Sequence, residues 1–257
     1  MAATLTERQV RVEHLMGTVV SIDIRGAGDG VDVAAPLDEA IALLHDVDAR
    51  FSTYRADSEI QRLDRGDLDL ADASPDVRRV LARCAQLRDE TGGFFYARAA
   101  GRLDPSAFVK GWAAQQAADL LLFAGLTDFC VSAGGDLVVR GGALPERAWR
   151  VGIQHPDDRG AVAAAIEVSD LAVATSGTYE RGEHVFNPRT GKPARGLRSV
   201  TVVGPDLALA DAYATAALAM GEPGIAWLAK LGTSGYESAA VTDDGRAFSS
   251  AGLPAAV

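Results

Sequence analysis

The sequence predicts an α+β fold in which mixed β-sheets are flanked by helices. Helical and strand-like patterns both occur along the 257 residues, but they do not alternate strictly as in a doubly wound fold. The composition, 48% hydrophobic and 23% charged, is that of a globular protein with enough chain to bury a core. No internal repeat or linker divides the chain, so we expect one domain over residues 1–257.

The predicted helices show apolar residues at helical spacing, together with signals at their ends. Leu37, Ile41 and Leu44 recur at this spacing in the first helix. The pair Ser74-Pro75 predicts an N-cap followed by the first helical residue, and Gly221 follows the last long apolar run. We expect helices over residues 36–51, 58–63, 74–91, 110–123, 207–220 and 225–231.

The predicted strands are short runs rich in β-branched residues. Residues 17–24 alternate in this way, and the tight turn Ala133-Gly134-Gly135-Asp136 joins two later strands. The loop over residues 26–30 resembles a dinucleotide-binding glycine motif only loosely, because its last glycine comes one residue early. We expect strands over residues 17–24, 129–132, 137–140, 149–153, 163–168, 171–174, 199–203 and 238–241.

The net charge of −10 and the two cysteines narrow the possible functions. Non-specific nucleic-acid binding needs clustered Lys and Arg, so we expect no nucleic-acid partner. Cys84 and Cys130 form no metal-binding pair and are expected to be small buried residues. No uncharged apolar run reaches the length of about 18 residues that spans a membrane, and no secretory signal is visible. We therefore expect a cytoplasmic protein without membrane insertion.

A carboxylate and a hydroxyl lie four residues apart in the apolar run Leu207–Met220. Residues at i and i+4 share a helix face, so Asp211 and Thr215 are expected to project together. Mg²⁺ takes oxygen ligands of this kind and usually adds the phosphates of a substrate. By spacing alone, a solvated aspartate and a threonine on a small-residue face remain the simpler interpretation.

Five further stretches place polar or glycine residues beside the ends of predicted elements. They are Leu15–Thr18, Asp104–Gly111, Ser132–Asp136, Ala174–Gly177 and His184–Gly191. In this order, and together with Asp211 and Thr215, they resemble the FAD:protein FMN transferase family, the ApbE-like flavin transferases. Phe51–Tyr54 and Ser58–Ile60 are similar to the family's early flavin-side segment. The resemblance covers roughly residues 14–221 and implies an ApbE-like fold.

The resemblance implies an enzyme that cleaves FAD and attaches FMN through a phosphoester to a Thr or Ser of an acceptor protein, releasing AMP. Mg²⁺ is the implied metal, held by the side chains of Asp211 and Thr215 and by the Ala107 carbonyl. The implied catalytic residues are His184, Asp211 and Lys110. The implied FAD-binding residues are Met16, Tyr54, Phe94, Phe95, Tyr96, Asp104, Lys110, Thr175, Ser176, Gly177, His184 and Val185.

The physical chemistry of phosphoryl-type transfer, which depends mainly on positioning and charge stabilisation, fits these residue types. Lys110 supplies a positive charge that an acidic protein needs locally at a pyrophosphate. His184, a side chain with an unperturbed pKa of about 6.5, is suited either to accept the proton of an attacking hydroxyl or to hydrogen-bond a turn. Met16, Phe94 and Phe95 fit a hydrophobic core as well as a ligand site.

The sequence departs from the family pattern at two positions and in the length of one segment. The family commonly has aspartate near Tyr96 and at Asn187, and the segment between Gly93 and Asp104 is shorter than in longer members. Less chain is left there to cover the isoalloxazine ring or to dock a protein acceptor. A Mg²⁺-dependent FAD pyrophosphatase that yields FMN and AMP, and a non-catalytic FAD-binding or storage protein, remain as alternatives.

Overall fold

The computed structural model describes residues 8–27, 30–99, 101–144, 147–156, 158–178 and 185–254. Its α-helices are α1 (Ala34–Phe51), α2 (Glu59–Arg65), α3 (Pro75–Glu90), α4 (Ser106–Phe123), α5 (Leu207–Met220) and α6 (Pro223–Leu228). Its strands are β1 (Gln9–Leu15), β2 (Thr18–Ala27), β3 (Arg98–Ala99), β4 (Arg102–Leu103), β5 (Leu126–Ala133), β6 (Asp136–Arg140), β7 (Trp149–His155), β8 (Asp158–Val168), β9 (Ala172–Gly177), β10 (Phe186–Asn187), β11 (Lys192–Pro193), β12 (Leu197–Gly204), β13 (Glu237–Thr242) and β14 (Ala247–Ser249).

A large antiparallel sheet forms the frame of the molecule. Over the described ranges it has eight strands in the order β1-β2-β5-β6-β9-β12-β13-β14. Successive side chains point to opposite faces, so Val138 of β6 packs into the larger core and Val139 into a second, smaller one. Both faces of the central strands are therefore covered, which explains why every residue of β12 except Arg198 is buried.

Helices α1, α4 and α5 cover one face of this sheet. Helix α5 contacts β9 and β12, α4 contacts β5, and α1 packs on α4. Helices α4 and α5 are apolar around most of their circumference because each has the sheet on one side and helices on another. Helix α1 lies further out and buries a single stripe that includes Leu37, Leu44 and Val47.

The β7–β8 ribbon contributes the second, smaller core. Trp149, Val151 and Ile166 of the ribbon pack in one cluster with Val139 and Val173 of the main sheet. The main sheet is therefore covered by helices on one face and by a β-ribbon on the other, which is an α+β arrangement and not a series of repeated βα units.

Helices α4 and α5 approach each other most closely at Gly111. A Cβ atom on this glycine would lie 2.7 Å from the Leu207 carbonyl oxygen and 3.1 Å from the Ala208 Cα. The next turn of α4 adds a polar contact, because the Leu207 backbone N–H donates to Gln115 Oε1 at 3.0 Å. The glycine and the glutamine together fix the first turn of α5 against α4.

The α+β fold and the long helices of the sequence prediction are confirmed. Helix α4 begins at Ser106 rather than at the predicted Lys110, and the Asp104 carboxylate accepts the Ser106 N–H at 3.0 Å where the helix starts. Strand β1 was not predicted because, as an edge strand, it alternates exposed Val10 and Val12 with partly buried charged residues. Strand β14 was missed because its three residues are all exposed. None of the helices in the described ranges is long and apolar enough to cross a membrane.

The substitution Gly111→Ala is expected to destabilise the fold by about 1–3 kcal/mol, because the added methyl group overpacks the α4–α5 contact. Chemical denaturation of the purified variant measures the change in the free energy of unfolding. Gly232→Ala is the matched control, since the nearest neighbour of its Cβ would be Glu237 Oε1, at 3.7 Å. Equal stability of both variants with the wild type would contradict the close approach.

Candidate functional site

The centre of the candidate site is a lysine between two buried carboxylates. Lys110 of α4 forms ion pairs with Asp136, at the start of β6, and with Asp211 of α5, whose Oδ2 lies 3.4 Å from the Lys110 Nζ. Asp136 is 1% exposed and Asp211 is 3% exposed. Buried carboxylates are unfavourable unless paired, so the lysine stabilises both charges where helix and sheet meet.

Asp136 is held in place by backbone groups as well as by the lysine. It follows the Gly134-Gly135 turn, and its Oδ1 accepts the Thr175 backbone N–H at 2.8 Å. Gly134 has a φ of +61°, and a Cβ there would lie 2.6 Å from Thr18 Oγ1. The turn therefore needs glycine both for its backbone conformation and for its approach to β2.

Two pairs of hydroxyl groups lie near this cluster, on opposite faces of the main sheet. Ser176 Oγ lies 3.1 Å from Thr215 Oγ1, and Thr175 Oγ1 lies 2.9 Å from Thr201 Oγ1. Thr215 is one helical turn after Asp211, as the i and i+4 spacing predicts. Strand β9 thus brings the Ser176 hydroxyl to the helix that carries the carboxylate. The Thr175 hydroxyl faces the other side of the sheet, the side of Val173 and Val203.

A cleft of about 590 Å³ opens beside the β1–β2 turn, and it contains two of the predicted FAD-binding residues. Met16 in that turn has a φ of +52°, and its N–H donates to Asp48 Oδ1 at 2.9 Å. A positive φ in a residue with a side chain is uncommon and is often found at binding sites. Tyr54, which also lines the cleft, is 91% exposed.

The cleft and the charged cluster are connected by direct contacts. Thr18 lines the cleft and abuts Gly134, which lies two residues before Asp136. On the other side, the Phe51 ring lies 5.5 Å from the ring of Trp112, two residues after Lys110. The two regions are therefore joined through packed residues, and Lys110 itself does not line the cleft.

The segment over residues 94–104 contains four predicted FAD-binding residues, and they lie in different environments. Phe95 is 1% exposed and belongs to the core, whereas Phe94 is partly buried. Tyr96 is 48% exposed and lines a separate cavity of about 410 Å³ between α2 and α3. Asp104 is partly buried at the start of α4. This segment therefore supplies core, cavity and helix-start residues rather than one continuous wall.

The β10–β11 hairpin is attached to the same region by an arginine. The Arg189 guanidinium lies 4.4 Å from the Phe94 ring centroid, and its Nη2 donates to the Gly92 carbonyl at 3.4 Å. Val185 is partly buried and packs against the core immediately before the hairpin. His184, the predicted base, lies outside the described residues.

The proposed metal ligands are oxygen atoms near the charged cluster. Asp211 contributes a buried carboxylate and Thr215 a hydroxyl, and Ala107 lies in the first turn of α4, one turn before Lys110. No group of three or more His, Cys, Asp or Glu residues suited to a metal is found in the ranges that the structure describes. One carboxylate with neutral oxygens fits a hard cation such as Mg²⁺ that takes further ligands from a bound phosphate.

The two cysteine thiols are not suited to nucleophilic chemistry. Burial raises the pKa of the Cys84 thiol to about 12, and burial with the nearby Asp23 carboxylate raises that of Cys130 to about 12. Both thiols are therefore protonated at neutral pH, and a protonated thiol is a poor nucleophile. The prediction of small buried residues is confirmed for Cys84, whereas Cys130 is only partly buried.

Asp136 and Arg189 were missed as individual site residues. Each lies in a stretch that the sequence singled out, directly after the Gly134-Gly135 turn and inside Asn187-Pro188-Arg189. Asp136 could have been found from its position, because an acidic residue at the start of a largely apolar, buried strand is unusual and needs a partner. The contact of Arg189 could not have been predicted from its turn, because its partner Phe94 is distant in sequence.

Comparison with known sequences gives a family match over most of the chain. The sequence model of the ApbE family matches residues 16–100 and 96–237. A FAD:protein FMN transferase of Rhodobacter capsulatus is 39% identical over 158 residues, which are 57% of this chain and 29% of that protein. One of Klebsiella pneumoniae is 37% identical over 129 residues, or 46% and 37% of the two chains. The aligned segments thus span less than two fifths of these relatives.

The structural similarity to solved proteins extends over nearly the whole chain. The flavin transferase ApbE from Vibrio cholerae superimposes with a TM-score of 0.82 and 25% identity, over 95% of this chain and 97% of that one. The ApbE protein of Thermotoga maritima gives a TM-score of 0.84 over 95% and 97% of the chains. Its identity of 20% supports the fold alone.

Arg189→Gln is expected to loosen the β10–β11 hairpin, because it removes the cation–π contact with Phe94, worth about 0.5–1 kcal/mol at an exposed site. Hydrogen exchange should increase severalfold over residues 185–194 and remain unchanged in α5. Lys192→Gln, an exposed change in the same hairpin, is the control. Unchanged exchange in the Arg189 variant would mean that the hairpin is held by other contacts.

Proposed function

Because the chain belongs to the ApbE family, we propose that it is an FAD:protein FMN transferase that uses Mg²⁺ and modifies a Thr or Ser of an acceptor protein. The proposal treats residues 1–257 as one domain of this family. The observation that carries it is the Lys110 ammonium between buried Asp136 and Asp211. The cleft lined by Met16 lies in the same part of the molecule, because Thr18 of the cleft abuts Gly134.

Binding of FAD is supported by the shape and charge of this region. In the proposed complex the flavin lies along the Met16–Tyr54 cleft, and the pyrophosphate lies near Lys110. An ammonium group offsets pyrophosphate charge locally, which matters in a protein with a net charge of −10. The Ser176 hydroxyl is suited to donate a hydrogen bond to a phosphate or ribose oxygen. Thr175 would contribute through its backbone N–H, which orients Asp136.

The proposed metal ligands are the Asp211 carboxylate, the Thr215 hydroxyl and the Ala107 carbonyl. This set contains one charged ligand, which suits an ion that shares its coordination with substrate phosphates. When bound, Mg²⁺ would withdraw charge from the pyrophosphate and polarise the P–O bond under attack. The burial of Asp211 keeps its carboxylate in one position and strengthens its attraction for a cation.

In the proposed reaction, the acceptor hydroxyl oxygen attacks the phosphorus on the FMN side of the FAD pyrophosphate. The bond from that phosphorus to the bridging oxygen breaks, and AMP leaves with this oxygen and the bonding electron pair. The hydroxyl proton passes to His184, which acts as the general base. Lys110 offsets charge on the pyrophosphate oxygens while the chain's other residues hold the reacting groups in line.

Hydrolysis is the second candidate, and the exposure of the cleft is the observation that favours it. Tyr54 is 91% exposed and Tyr96 is 48% exposed, so water has access to both regions. The short β3–β4 hairpin is consistent with the limited cover expected from the length of the 93–104 segment.

One assay separates transfer, hydrolysis and storage. The protein is incubated with FAD, Mg²⁺ and an acceptor protein that carries a target threonine segment, and the products are separated. A covalently labelled acceptor together with AMP supports the transferase. Free FMN and AMP without labelling would establish a pyrophosphatase, and unchanged FAD would establish a binding or storage protein.

Asp211→Ala is expected to abolish Mg²⁺-dependent product formation in this assay, because it removes the one charged ligand proposed for the ion. Asp89→Ala is the matched control, since the Asp89 side chain is 79% exposed on α3. Near-normal turnover by the Asp211 variant would reject the metal assignment.

His184→Ala is expected to slow transfer by about 10²–10⁴-fold if His184 is the general base. The rate should be measured at saturating FAD and acceptor, so that weaker binding does not contribute. His45→Ala, an exposed change on α1, is the control. A loss of less than tenfold would assign His184 a structural role.

A further inference from the structure

Lys110 carries out two contacts at once, and the two carboxylates that it contacts are not equivalent. The lysine side chain is 21% exposed, against 2% for Asp136 and 5% for Asp211. The lysine donates a hydrogen bond to Asp136 Oδ2, whereas the Asp211 Oδ2 lies further away, at 3.4 Å. The ammonium group therefore interacts mainly with Asp136 and has a longer contact with Asp211.

This position matters because Asp211 is also the proposed metal ligand. Mg²⁺ binds a carboxylate oxygen at about 2.0–2.1 Å. An ammonium 3.4 Å from that carboxylate oxygen would therefore be a close positive neighbour of the ion. The ion and Lys110 compete for the negative charge of Asp211 unless another group holds the lysine.

We propose that Asp136 is a positioning residue that holds the Lys110 ammonium away from Asp211, so that a divalent cation can bind Asp211 while Lys110 stays available for phosphate. This inference rests on the metal assignment in the proposed function. Without Asp136, the lysine would pair with Asp211 alone and close the metal position.

The surroundings of Asp136 suit it to this role. Its Oδ1 accepts the Thr175 backbone N–H at 2.8 Å, so the carboxylate keeps its orientation and points the other oxygen at the lysine. The Gly134-Gly135 turn packs against Thr18 and fixes the strand start from the other side. Lys110, in contrast, has a flexible stem and three donors, so it can shift between partners.

The test measures binding of Mn²⁺ alone, without FAD, by electron paramagnetic resonance at pH 8. Mn²⁺ replaces Mg²⁺ because it accepts the same oxygen ligands. Asp136→Asn keeps an oxygen for the Thr175 N–H and replaces the oxygen that faces Lys110 by an amide NH₂. We expect this variant to bind Mn²⁺ about tenfold more weakly, and Lys110→Met to bind it about tenfold more tightly.

The double variant Asp136→Asn/Lys110→Met distinguishes positioning from simple loss of a negative charge. If Asp136 acts through Lys110, the double variant binds Mn²⁺ within about twofold of Lys110→Met. A weakening by Asp136→Asn that is as large without the lysine as with it would overturn the inference. An unchanged Mn²⁺ affinity of the Lys110→Met variant would also overturn the inference. This second result can be read even if Asp136→Asn fails to fold.

Two controls separate failure of this inference from failure of the proposed function. Asp89→Asn should leave Mn²⁺ affinity unchanged, and thermal melting should show that each variant is folded. If the wild type and Asp211→Ala bind Mn²⁺ equally, the metal assignment fails and the inference falls with it. If Asp211→Ala alone loses Mn²⁺ while the Lys110 and Asp136 variants match the wild type, only the inference is rejected.

Discussion

The ion pairs of Lys110 with two buried carboxylates are the interaction on which the candidate site depends. They require α4, α5 and the start of β6 to meet within a few ångströms. Gly111 permits this meeting, because any larger side chain would press on the Leu207 carbonyl and separate the helices. Gln115 adds direction, since it accepts the first free N–H of α5 and so fixes the helix that carries Asp211.

The antiparallel sheet brings the remaining polar groups to the same corner. The β5–β6 turn delivers Asp136, and β9 delivers the Thr175 backbone N–H to Asp136 and the Ser176 hydroxyl to Thr215 of α5. Because the central strands are covered on both faces, these polar groups lie where water is largely excluded. In such surroundings, hydrogen bonds and attractions between opposite charges are stronger, and an unpaired polar or charged group is more unfavourable.

Much of this arrangement could be predicted from the sequence because it is local. The Asp211–Thr215 spacing required only helical geometry, and Ser74-Pro75 located the start of α3 to the residue. The edge strand β1 escaped prediction because half of its side chains face solvent, and β14 because all three of its residues do. Phe95 could not be assigned from the sequence, since aromatic residues are equally suited to a core and to a ligand site. Its burial in the structure shows that it belongs to the core.

Local patterns in the sequence were sufficient to predict the α+β class, the long helices, the shared face of Asp211 and Thr215, and the order of motifs that places the chain in the ApbE family. The packing of the folded chain was needed to show that Lys110 lies between Asp136 and Asp211 and that Arg189 contacts Phe94. These contacts join residues 26, 101 and 95 positions apart in the chain. Local periodicity carries no information about such pairs, because their distance is set by how helices and strands pack and not by the residues between them.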